Sequence, residues 1–276
     1  SRGITTAEDY YLGEHASPWW AIGLSVVATY IGAMSFLGGP AWSYVDGFSV
    51  IMIHVNYPIA VFIVATIFLP FFYNSGVASI FDYLERRFGL SSRTLMSAVF
   101  LFGNITYSGI MLYTTALVLQ FITGVDVVAA IVVIAIVALV YTTMGGIAAV
   151  IWTDVAQTVI LLGGALVILA LLIGALPDGL AASLTHLKAN GMTEPFNTST
   201  DPTVVATIWT GIVAMSIYHV VVYGVNQMMV QRTLTAASIG DAKKSYMLMG
   251  YVAIFVFALL FFIGILLNEY YQGREF

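Results

Sequence analysis

The stretch PWWAIGLSVVATYIGAMSFLGGP, Pro18 to Pro40, is long and apolar enough to enter a bilayer, yet it makes a poor continuous helix. Thr29, Tyr30, Gly32 and Ser35 put small and polar groups at its middle, and Gly38, Gly39 and Pro40 interrupt its far end. Glycine adds backbone freedom and proline removes an amide donor, so both weaken a helix interior. In hydrocarbon, backbone groups without partners survive only where they face protein or a water-filled cavity. A broken membrane helix is by default a place where something polar is bound.

The rest of the chain has the same character. Of its 276 residues, 60% are hydrophobic and 8% charged, with a mean hydropathy of +0.96. A soluble domain carries roughly 25% charged residues, so an aqueous globular core explains this composition poorly. Without cysteine there are no disulfides, thiolate metal sites or cysteine nucleophiles. The net charge of −5 gives no reason to expect nucleic acid as a partner.

A helix needs about 20 apolar residues to cross the hydrocarbon. Windows at 18–44, 48–73, 95–122, 127–145, 151–176, 204–230 and 246–269 meet that length. Runs such as VVAAIVVIAIVALV are continuous rather than alternating, which excludes a β-barrel. The expectation is an all-α, multi-pass integral membrane protein. Arg86, Arg87 and Arg93 follow the second span, and Arg232, Lys243 and Lys244 follow the sixth. By the positive-inside rule both connections face the cytoplasm, with the N-terminus inside and the outer loop at 177–203. A seven-helix receptor has the opposite sidedness. The inner segment GVASIFDYLERRFGLSSR reads as a short amphipathic helix along the membrane surface.

Polar residues at membrane depth are costly and therefore informative. His54, Asn56 and Tyr57 precede Pro58 in the second span. Asn104, Tyr107 and Ser108 lie in the third, Asp154 and Gln157 in the fifth, and Ser216, Tyr218, His219, Tyr223, Asn226 and Gln227 in the sixth. Thr114, Thr115 and Ser216 are expected to bond back to their own helices. His54 and His219 either bridge helices or meet a ligand. Asp154 is either an ion contact or a helix N-cap. The sixth span repeats the theme of the first, with Tyr218, His219, Tyr223 and Gly224 in its interior. Two interrupted spans five apart are what an inverted five-helix repeat produces, with a site between them at mid-membrane.

The stretches AEDYYLGEHASPWW, IFDYLERRFG, YTTMGGIAAVIWTDVAQ and YGVNQMMVQRTLTAASIGDAKKS together resemble the sodium/solute symporter family, in its order and at its spacing. LGGPAWSYVDG, YSGIMLY and YGVNQ resemble the iodide, multivitamin and monocarboxylate branch. The resemblance implies an inverted-repeat transporter with five-plus-five core helices, of which seven are present. Residues 1–176 would form the first repeat, 177–203 the outer loop and 204–276 the start of the second. It also implies sodium-coupled import of a small solute by alternating access in the cell (inner) membrane, and no enzymatic activity.

The family's sodium site would map onto the backbone carbonyls of Ala28 and Ile31, with Asp154 at an acidic position linked to a second sodium site or to sodium exit. Solute-facing positions would include Thr29, Tyr30, Ser35, His54, Tyr57, Tyr107, His219 and Tyr223. The acid of the proline transporters is absent at Tyr30, and the polar set of the sugar transporters is absent around Met34, Ser35 and His54. The third span lacks the arginine of sialic-acid binders. A small organic or inorganic anion is the expected solute. The family's eighth helix, which carries the sodium-site hydroxyls, has no counterpart here; it is expected from a longer protein or a second chain. The competing expectation is a transporter-like sensory or structural module that binds a solute or partner without moving it. An intramembrane enzyme lacks support, since no span carries a His pair at i, i+4 or a pair of acids.

Overall fold

A computed structural model describes residues 17–77 and 79–274, without the side chain at position 141. The stretch AEDYYLGEH ahead of the first span lies outside the described residues. The first apolar stretch forms two helices, α1 (Trp19–Tyr30) and α2 (Ala33–Asp46), bent by 63° at Ile31–Gly32. The second span runs from Phe48 to Ser75. It begins as a 3-10 helix (Phe48–His54), continues as α3 (Tyr57–Ile63), loosens into a π-turn (Val64–Phe68) and ends as α4 (Leu69–Ser75).

The amphipathic α5 (Ile80–Phe88) follows, with the Ser79 hydroxyl accepting the Asp82 amide at 3.1 Å as its N-cap. Arg93, at the start of α6 (Leu90–Thr123), pairs with Glu85 and ties α5 to that long helix. Asp126 caps α7 (Val127–Ala175) by accepting the amides of Val128 and Ala129, each at 3.0 Å. The expected fourth and fifth spans are the two arms of α7. They are separated by Gly146, whose φ of 58° and ψ of −159° no residue with a Cβ adopts cheaply.

The outer segment carries α8 (Gly179–Ala189). The sixth span is a π-turn (Thr210–Ala214) leading into α9 (Met215–Val225), then α10 (Gln227–Leu234), bent by 52° at Asn226. α11 (Ile239–Tyr271) is the seventh span. Among the described residues, six of the seven expected spans are helices or bent helix pairs long and apolar enough to cross a membrane, and the fourth, Val127–Val140, is shorter.

α11 forms the centre of the fold. Tyr246, Met249, Ala253, Val256, Leu260 and Ile265 are buried at helical spacing and pack chiefly on α1 and α2. α6 is the opposite case: Leu101, Phe102, Ile105 and Phe121 are exposed along its length. In a lipid solvent an apolar face needs no protein cover.

Candidate functional site

At the first break the helical ladder stops with Ile31 N–H donating to Val27 C=O at 2.8 Å, and resumes with Phe36 N–H donating to Gly32 C=O at 3.0 Å. The carbonyls of Ala28, Thr29, Tyr30 and Ile31 therefore lie past the end of one ladder. The amides of Gly32 to Ser35 precede the start of the next. Carbonyls at a helix C-terminus carry partial negative charge and attract cations. A cavity of roughly 710 Å³ opens onto this break, lined by Ala28, Ile31 and Gly32 together with Thr115, Gln157 and Thr158. Thr158 also donates its hydroxyl to the Leu24 carbonyl at 3.0 Å, docking α7 on α1.

At the second break the Asn226 side chain accepts the Met228 amide at 2.9 Å and so caps α10. The expected interruption near Tyr218–Gly224 lies at Asn226, where an extended backbone and a capping side chain coincide.

Between the two broken spans Tyr30, His54, Tyr57, His219 and Tyr223 form one stack, buried except for Tyr30, which is half-buried and meets His219 edge-on. His219 lies over Tyr57 at 4.7 Å and 20°, and beside Tyr223 at 5.6 Å and 19°. His54 lies flat against Phe257 at 3.6 Å and 15°. The polar edges of the stack are wired together. Asn56 donates its amide to the Gly211 carbonyl at 2.9 Å, which turns Asn56 Oδ1 towards His219 Nδ1 at 2.7 Å. Nδ1 must then carry the hydrogen of neutral His219, leaving Nε2 to accept from the Tyr30 hydroxyl at 2.9 Å. The Tyr223 hydroxyl donates to Tyr57 at 3.2 Å, and Tyr246 donates to the Tyr223 carbonyl at 2.6 Å.

Gly211 makes this wiring possible, because a Cβ there would collide with the Met52 carbonyl of the second span. His54 is the exception in the stack: its Nδ1 is buried without a hydrogen-bond partner among the described residues. An unsatisfied buried nitrogen is costly and marks a place where a partner is missing.

Three of the expected solute-facing residues stand apart. Thr29 donates back to the Ser25 carbonyl at 2.8 Å. Ser35 lies in the first turn of α2, half-buried. Tyr107 is 44% exposed on α6 and has no ring contact with the stack among the described residues. Thr114, Thr115 and Ser216 bond back to their own helices as expected.

Asp154 lies inside α7, beyond its bend, so the N-cap alternative does not hold. Its Oδ2 accepts from the Ser25 hydroxyl at 2.5 Å and from Arg232 Nη2 at 3.2 Å. Arg232 Nε also donates to the Ser25 oxygen at 2.9 Å. With about a tenth of each ionic side chain exposed, this pair joins the first, fifth and sixth spans. Sequence reading missed it because Arg232 stood out only as a loop charge, and its partner is 78 residues away. Asn56, the acceptor that orients His219, was visible as a membrane-depth amide but not as part of the site. Among the described residues no group of three His, Cys, Asp or Glu side chains is placed to hold a metal.

Comparison with known proteins extends this picture. Residues 10–273 match the sodium:solute symporter family. The chain is 33% identical to the human sodium/iodide cotransporter over 244 residues, covering 87% of this chain and 37% of that protein. It is 34% identical to the human sodium-coupled monocarboxylate transporter 1, covering 88% and 40%. The chain thus spans about two fifths of the length of these relatives, which are transporters rather than enzymes. A Na+-coupled sialic acid symporter, solved in a substrate-bound outward-open state, superposes with a TM-score of 0.89 at 30% identity, over 98% of this chain and 57% of that one. Broken first and sixth spans, a helical membrane architecture and a family match over nearly the whole sequence agree: the chain belongs to the sodium:solute symporter family.

Proposed function

We propose that this chain forms the ion- and solute-binding half of a sodium-coupled symporter that imports a small anion by alternating access. The observation that carries the reading is the first break, where four successive carbonyls lie past the end of the α1 ladder and Ala28 and Ile31 line a cavity. Sodium is a hard cation that prefers oxygen, and the carbonyls of Ala28 and Ile31 supply it at the negative end of a helix. Hydroxyl oxygens from a further helix, in the same longer protein or a second chain, complete the set. Asp154 presents Oδ2 to Arg232 and Ser25, which leaves Oδ1 for a second or departing sodium ion.

The solute meets the stack of Tyr30, His54, Tyr57, His219 and Tyr223, with Thr29, Ser35 and Tyr107 at its margins. Here His54 and His219 differ. Both nitrogens of His219 are engaged, so it positions its neighbours, whereas His54 Nδ1 is free to donate to an anion. The relatives that carry iodide and monocarboxylates favour the anion class. The chain sits in the cell membrane with the Arg86–Arg93 and Arg232–Lys244 connections in the cytoplasm.

Proteoliposome uptake of radiolabelled iodide and lactate, with and without an inward sodium gradient, tests this. Sodium-dependent accumulation that His54→Leu abolishes is the expected result. Sodium binding and solute binding without uptake would favour the sensory or structural module. No sodium-dependent change in binding or uptake would overturn the symporter reading.

A further inference from the structure

A groove between the second and seventh spans shares no residue with the ion site and meets the solute stack only at Tyr57. Its volume is roughly 300 Å³, its walls are Val61 and Phe62 on one side and Met247 and Gly250 on the other, and Tyr57 closes its inner end. Lys243 stands at the outer end. Among the described residues Lys243 has no ion-pair or hydrogen-bond partner, whereas the adjacent Lys244 donates to Asp241 at 3.2 Å.

The groove follows α11 from Lys243 to Ile254. Eleven residues at 1.5 Å each make about 16 Å, close to half of a hydrocarbon layer about 30 Å thick. The lysine end belongs to the basic side of the molecule. There the Tyr73 hydroxyl donates to the Ala236 carbonyl at 2.9 Å and the Ile80 amide donates to Gln227 Oε1 at 2.9 Å, so the connections after the second and sixth spans touch.

A groove of this length that runs inward from the headgroup level matches one acyl chain of a lipid leaflet. A lone cation at headgroup level attracts the anionic lipids of that leaflet.

We propose that this groove binds one anionic phospholipid, with its phosphate at Lys243 Nζ and one acyl chain lying along Val61 and Gly250 as far as Tyr57. The chain end then bears on Tyr57, whose hydroxyl meets Tyr223 at 3.2 Å in the buried stack. Lipid composition thereby acts on the stack from the side, through a residue that the two sites share. The inference does not depend on the ion or solute assignments.

The test uses the purified chain in phosphatidylcholine nanodiscs titrated with phosphatidylglycerol, with retained lipid counted by native mass spectrometry. One phosphatidylglycerol is expected to be retained about fivefold more strongly than phosphatidylcholine, the preference one lysine supplies near a membrane surface. Lys243→Gln is expected to erase that preference and Lys244→Gln to keep it. Met247→Trp, which fills the groove, is expected to lower retention of both lipids. Equal retention of the two lipids by the unaltered chain overturns the proposal, as does equal loss in the two lysine variants. Displacement by equimolar oleate or inorganic phosphate also overturns it, assigning the groove to a fatty acid or a bare anion. Should Lys243→Gln fail to fold, the unaltered chain and Met247→Trp still decide.

Discussion

The two broken spans are alike in outline and opposite in chemistry. Both bend by more than 50°, at Ile31–Gly32 and at Asn226. At the second break the asparagine side chain caps the following helix, and Arg232 on that helix is neutralised by Asp154. At the first, no side chain caps α2, and Ala28 and Ile31 before the bend line a cavity. A break whose polar groups are satisfied within the protein holds structure together. One whose polar groups are left over is free to bind. In hydrocarbon, where water cannot make up the difference, this distinction is sharper than in a soluble protein.

The contrast can be broken most directly at the ion pair. Arg232→Ala leaves Asp154 as a buried charge without its cation, and should cost about 3–5 kcal/mol. Thermal unfolding in detergent measures the loss, and Arg232→Ala combined with Asp154→Asn should recover much of it. No recovery would mean that Arg232 acts through some contact other than Asp154.

Gly211→Ala pushes a methyl group into the Met52 carbonyl and should cost about 1–3 kcal/mol as the second and sixth spans are forced apart. The same scan should find His219 more mobile, because the Gly211 carbonyl no longer orients Asn56. An unchanged midpoint would show that the spans separate without penalty.

The capping difference calls for a matched pair. Asn226→Ala should cost about 1 kcal/mol through loss of the cap. Gly32→Ala, whose new Cβ would lie in ordinary contact at 3.7 Å from Met111 Sδ with φ at −103°, should change stability by less than about 0.5 kcal/mol. Sodium-dependent stabilisation should respond the other way, more to Gly32→Ala than to Asn226→Ala. Equal sodium responses would remove the distinction between the breaks.

The smallest effect lies in the outer segment. The Thr203 hydroxyl and amide hold the Asp201 carboxyl below its ordinary value of 3.8. Its contribution is therefore present above that value and is lost as the pH falls through the lowered one. Thr203→Val should lower stability slightly at neutral pH, leave it unchanged below the lowered value, and so flatten this acid limb of a stability–pH profile.

Much of the architecture was legible in the sequence because hydrophobicity in a membrane is a local property. The apolar windows and the small and polar groups at the centre of the first stretch each act within a turn or two of themselves. The first break fell beside the expected Ala28–Ile31, since Gly32 is a local weakness. The second fell short at Tyr218–Gly224 because a capping asparagine competes with glycine for the role, and pattern alone does not rank them. Tyr30, His54, Tyr57, His219 and Tyr223 meet because they are polar aromatic residues on the first, second and sixth spans, which face one another. Thr29 satisfied itself within its own helix instead.

By itself, then, the sequence determined that this chain lives in a membrane, where its helices lie and which of them are weak. Those properties follow from apolar length and from glycine, proline and charge placed locally. The tertiary structure alone decided that Asp154 belongs to Arg232, that His219 is engaged at both nitrogens and that His54 is left with one free. Such choices depend on which groups meet across 78 to 189 residues of chain, where the cost of an unpaired polar atom in hydrocarbon selects the partner.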